Sequence, residues 1–138
     1  MHGFTRAPEN ADERFYTVST DASTGIVLLC RTHEPYDDDA QVVRETARLA
    51  GVLDQVGRRG KRLLVDVRRA PIDTDTRMAL SFREQRREVR RGFVAVAVVV
   101  QTQVGRLQAN RLAGELGPGE ADPVYDDFDV ALKLLLDR

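Results

Sequence analysis

Between Phe93 and Val100 the chain runs eight residues without a polar side chain, all Phe, Val or Ala. The run is far short of the roughly 20 residues that cross a bilayer. Its β-branched content reads as a strand buried on both faces, and such strands belong to parallel sheets covered by helices. Two further runs behave alike: Ile26-Val27-Leu28-Leu29-Cys30, and Leu63-Leu64-Val65-Asp66-Val67, broken only by its aspartate. An apolar content of 42 % supplies a core for the single domain that 138 residues allow. That balance excludes collagen-like, disulfide-scaffold and wholly disordered readings.

Around these runs strands alternate with helices. Phe15 to Thr20 alternates large and small residues, and the turn Asp21-Ala22-Ser23-Thr24-Gly25 joins it to Ile26–Cys30 as a hairpin. Asp38 with Gln41 resembles a capping box; Val42, Thr46, Leu49, Leu53 and Val56 then recur at helical steps until Gly57 or Gly60. Asp73 to Thr76 supplies caps for a second helix reaching about Arg90. Thr102 caps a third, carrying Val104, Leu107, Leu112 and Leu116. Val124-Tyr125 is a short last strand, and Asp126 caps a final helix with Phe128, Ala131, Leu132 and Leu135 inward. The order is ββαβαβαβα: an α/β fold around a mostly parallel sheet of about five strands with an antiparallel edge hairpin. Residues 1–13 read as a poorly ordered tail and 14–138 as the domain. The first strand is then the open edge, a route to a homodimer.

A net charge of −1 argues against a dedicated nucleic-acid protein. It conceals +7 over residues 58–91, between −5 before and −3 after. Cys30 is the lone cysteine, so no internal disulfide forms, and neither of the two histidines has a companion at ligand spacing. No metal or cofactor is expected. The polar N-terminus, with no hydrophobic signal region, makes a cytoplasmic address the expectation. P-loop, dinucleotide, H-E-x-x-H and nucleophile-elbow signatures are absent, which lowers the odds of an enzyme.

The stretch Leu63 to Thr76 resembles the STAS-like (SpoIIAA-like) domains of anti-sigma-factor antagonists. Val65-Asp66-Val67 matches the end of their strand, and Asp73-Thr74 or Asp75-Thr76 falls within one residue of their Asp-Ser position. Gly92 to Val100, followed by a threonine-capped helix, fits their next unit. The chain departs from the pattern in lacking that serine and the glycine after it, and in carrying Arg68 and Arg69 in the loop. The resemblance, which covers about residues 14–137 in topology, implies a SpoIIAA-like fold and a non-catalytic module that binds other proteins. It also implies control by phosphorylation of a hydroxyl residue in some relatives. Lipid carriers of the same broad fold imply a small hydrophobic ligand instead.

Three groups of residues are candidates for function. Loops leaving parallel strands gather at one edge, which would bring together Arg31, Thr32, His33, Arg68, Arg69, Asp73 to Thr76, Gln101 and Thr102 as an anion or partner contact. A phosphoryl group on Thr74 or Thr76 would sit at a helix N-terminus within reach of Arg68 and Arg69. The plainer reading makes both threonines helix caps, worth ~1 kcal/mol each. Second, at about 100° per residue Arg83, Arg86, Arg87, Arg90 and Arg91 share roughly 140° of the second helix, beside a thin stripe of Met78, Phe82 and Val89. This face would dock an acidic protein partner; otherwise it is solvated and paired with Glu84 and Glu88. Leu80 falls inside the arginine arc. Third, an unrecognised enzyme would centre on His33, Asp66 and Arg68, whereas a ligand-binding module would open a cavity among Leu80, Phe82, Val104 and Leu107.

Overall fold

Side chains alternate across a strand, so a strand without polar residues must meet apolar layers on both faces. The computed structural model, which describes residues 3–7, 13–71, 76–101 and 122–137, has that arrangement. Its elements are β1 (Thr5–Arg6), β2 (Tyr16–Asp21), β3 (Ile26–Arg31), α1 (Asp39–Val56), β4 (Arg62–Asp66), a 3₁₀ turn (Thr76–Met78), α2 (Ala79–Arg90), β5 (Ala95–Val99), β6 (Val124–Tyr125) and α3 (Phe128–Leu136). They form one six-stranded sheet whose order follows the chain, β1 to β6. The first two pairings are antiparallel and the other three parallel.

Leu63 and Leu64 show how the layers divide. Both are fully buried, on opposite faces. Leu63 joins Val27, Leu29 and Val96 beneath Leu49, Val52 and Leu53 of α1 and Val89 of α2. Leu64 joins Ile26, Ala97 and Val99 beneath Ala131, Leu132 and Leu135 of α3. Each such side chain contributes about 1.5–3 kcal/mol on removal from water. In a sheet ordered like the chain, crossovers of the usual hand fall on one face, and α1 and α2 share it.

The α1 boundaries follow the expected chemistry. Asp38 accepts from the Gln41 backbone N–H at 2.9 Å, while Gln41 Oε1 accepts from the Asp37 N–H at 2.6 Å. Gly57, at φ 94°, ends the helix with its N–H on the Leu53 carbonyl at 3.0 Å. Other expectations need correction. Asp127, not Asp126, caps α3 by accepting from Val130 N–H at 3.0 Å. The helix α2 has no capping side chain; it grows out of the 3₁₀ turn, with Met78 at the cap position. The apolar run 93–100 is longer than its strand, and Phe93 belongs to the approach.

The edge also differs from expectation. Thr5 and Arg6, assigned above to a tail, pair with Thr20 and Ser19 of β2, and Ala7 N–H donates to the Val18 carbonyl at 3.0 Å. The sheet therefore has six strands, and β1 covers β2 over Val18–Thr20. Two paired residues are too few to leave a periodic signal. The opposite edge is short for a visible reason. Pro123 accepts from Val98 N–H at 2.9 Å but has no N–H to return, so the β5–β6 ladder stops there.

Candidate basic groove

The parallel strands do bring their C-terminal ends to one rim, but the side chains there part company. Arg31 turns toward α1 and α2 and is 7 % exposed. Its Nη1 donates to the carbonyls of Phe15 at 3.3 Å and Thr32 at 2.9 Å. The guanidinium lies 4.7–5.6 Å from the ring centres of Tyr36, Tyr16 and Phe15. Arg68 goes to the other face, where it grips Asp66 with Nε at 3.0 Å and Nη2 at 2.8 Å and covers the Phe128 ring at 5.1 Å. That pairing holds its pKa above the usual arginine value. Arg69 and His33 are exposed. Asp66 pairs with Arg68, and His33 makes no hydrogen bond or ion pair with either. The strand order follows the chain without reversing, so the described strands show no topological switch point. Thr74 and Thr102 lie outside the described residues; Thr76 opens the 3₁₀ turn, with its side chain outside them.

Cys30 sits on the α3 face opposite Asp66, partly buried. Burial first, then the Asp66 carboxylate, raises its thiol pKa, which suits a packed residue rather than a nucleophile. Leu80 is 68 % exposed and Phe82 packs toward Tyr36, their rings 5.8 Å apart, so these two do not line a common cavity. Val104 and Leu107 lie outside the described residues. Among the described residues no three His, Cys, Asp or Glu side chains could hold a metal ion, and no helix is long and apolar enough to cross a membrane.

The arginine face of α2 is different, because the fold turns it into a concavity. Burial of Gln85 and Val89 sets the helix phase. By that phase Leu80 and Arg87 point outward, while Arg86 lies nearest the core among the arginines. Arg83, Arg86, Arg87, Arg90 and Arg91 form one wall of a groove of about 310 Å³. The opposite wall is residues 92–96, where the chain reverses and enters β5. Gly92 makes the reversal possible. It stands at φ +84°, and a Cβ there would come within 3.3 Å of the Arg58 side chain.

The groove's ion pairs are uneven. Arg90 is clamped on Asp122 by Nη2 at 2.6 Å and Nε at 3.1 Å, with the Asp122 side chain 9 % exposed. Arg87 meets Glu84 at 3.8 Å, and Arg91 meets Glu88 at 3.5 Å and Asp54 at 3.4 Å, the helical pairs being those the spacing predicts. Arg83 and Arg86 have no carboxylate partner among the described residues. Burial, the largest influence on Arg86, lowers its pKa; Tyr16 and Asp122 pull the other way and Arg83 adds to the lowering.

Three contributors escaped the sequence reading. Asp122 is remote in sequence from Arg90, with no local pattern to link them. Gln85 is a polar residue on the buried side of α2, where its amide donates to Tyr36 Oη at 3.2 Å. Arg58, 6 % exposed, closes the C-terminal end of α2. Its Nη1 donates to the carbonyls of Glu88, Val89 and Arg91 at 2.6, 3.0 and 2.7 Å, and its Nε to Asp54 at 2.8 Å. Its position just after Gly57 was the available signal.

No family model matches the chain, and no curated protein or solved structure does either.

Proposed function

We propose that this chain is a non-catalytic protein-interaction module of STAS-like type, and that it docks an acidic segment of a partner protein in the α2 groove. The observation that carries the reading is the groove itself: five arginines gathered along one concave wall, two of them without a carboxylate among the described residues. Cations held half out of water with their charge unmatched attract an anionic partner and focus its approach. Glu84, Glu88 and Asp54 pair with Arg87 and Arg91 of the lining, so acids alternate with cations along this side of the molecule, which favours a discrete protein segment over a uniformly anionic polymer.

The test is a titration of the full chain with a short fluorescein-labelled peptide of aspartate, glutamate and valine, read by anisotropy. Binding is expected to weaken as salt rises. It should fall about tenfold or more in the Arg83→Glu/Arg86→Glu variant, given 1–3 kcal/mol for charge-assisted contacts. Arg90 is left untouched because Asp122 depends on it. Equal affinity of variant and parent would overturn the reading.

A further inference from the structure

The uneven pairing in the groove says what kind of anion belongs there, taking the docking role proposed above as given. Arg83 and Arg86 stand one turn apart on the same wall, where like charges at this spacing oppose folding slightly. Arg86 is half-buried and Arg83 only partly exposed, so water compensates them incompletely. The neighbouring arginines are already matched, Arg90 by Asp122, Arg87 by Glu84 and Arg91 by Glu88 and Asp54. What remains is two adjacent planar forks with no carboxylate in ion-pair reach among the described residues, Asp122 acting on Arg86 only from farther off. A carboxylate brings one negative charge. A phosphoryl monoester brings about −1.5 to −2 with three acceptor oxygens, enough to bridge both forks.

We infer that Arg83 and Arg86 form a recognition site for a phosphorylated side chain carried by the acidic partner segment. Val94, 62 % exposed on the facing wall, offers an apolar contact for a residue beside the phosphorylated one. A lipid headgroup supplies the same chemistry less well here. The acids Glu84, Glu88 and Asp54, paired with Arg87 and Arg91 of the same lining, would oppose an anionic bilayer, and the chain as a whole carries −1.

Two labelled peptides of one acidic, valine-containing sequence, one with phosphoserine and the other with glutamate at that position, separate this inference from the reading beneath it. The phosphopeptide is expected to bind the full chain about tenfold more tightly. The advantage should vanish in Arg83→Gln/Arg86→Gln and survive in Arg87→Gln, with thermal melts showing each variant folded. Equal affinity of the two peptides, both lost in the double variant, overturns phosphoryl recognition while acidic docking stands. Binding of neither peptide overturns both. Tighter binding to vesicles containing a phosphoinositide than to the phosphopeptide overturns the assignment to a protein partner.

Discussion

Arg58 and Arg86 both lean on helix α2 and both lose water, yet their surroundings differ. Arg58 has three carbonyls and a carboxylate within 3.0 Å, and Phe93 lies 5.7 Å from its guanidinium carbon. Arg31 is treated the same way by two carbonyls and three aromatic rings. Arg86 lines an open groove with no carboxylate to meet it among the described residues. One residue type therefore serves two ends. At Arg58 Nε and Nη1 meet acceptors while Nη2 stays buried without a partner, and the side chain still ties α1 to α2; Arg86 has no such ties, which is why the proposed docking role falls to it.

The largest expected effect is at Arg58. Arg58→Ala strips the last turn of α2 of its acceptor-filling cation and leaves buried carbonyls without a donor. We expect a loss of about 3 kcal/mol, read as a lower urea midpoint, and a melting temperature roughly 10 °C lower. A cost no larger than that of Arg83→Ala would break the comparison at once. Arg31→Met comes next, at about 2 kcal/mol. The methionine keeps the packing volume, while the carbonyl hydrogen bonds and the ring contacts, each worth about 0.5–1 kcal/mol, are lost.

Alkaline pH should separate the two regions with less force. Burial raises the pKa of Tyr16, Tyr36 and Cys30, so the folded state keeps protons that an unfolded chain would release. Their contribution is whole below the ordinary thiol and phenol ranges, roughly 8.5 and 10, and is lost as pH rises through the raised folded values. The urea midpoint should therefore hold steady to about pH 8 and then fall. A midpoint that rises over that span would contradict the burial of these groups.

How much of this was legible in the sequence depended on the range of the interaction. The buried strands, the capping box at Asp38, the end of α1 at Gly57 and the arginine arc of α2 each rest on neighbours within a turn or a pleat, and each could be read. The helical phase that sets Leu80 among the arginines agrees with its exposure of 68 %. What could not be read joins residues far apart in the chain: Arg90 to Asp122, Arg58 to the end of α2, Arg31 to the Phe15–Tyr36 stack. For the same reason Arg31 looked like a contact residue at the rim. Its charge is visible in the sequence, and the rings that enclose it are not. The pairing of Thr5–Arg6 with β2 was hidden by its brevity.

The smallest stability effect belongs to Arg86, and there the sign matters more than the size. Burial lowers its pKa, which means that folding disfavours its charged form, and Arg83 adds to the strain. Arg86→Met keeps the apolar stem against the helix and removes the charge. The variant should be as stable as the parent or slightly more so, by at most about 0.5 kcal/mol in chemical denaturation. Leu80→Ser, at an exposed position outside the groove wall, should also leave stability within that margin. The two differ only in ligand titration, where Arg86→Met loses the acidic peptide and Leu80→Ser keeps it. A substitution that costs the fold nothing and costs binding much is what an unmatched cation in a ligand site predicts. If Arg86→Met instead destabilises as Arg31→Met does, the groove arginines belong to the fold, and the distinction between the two kinds of arginine is wrong.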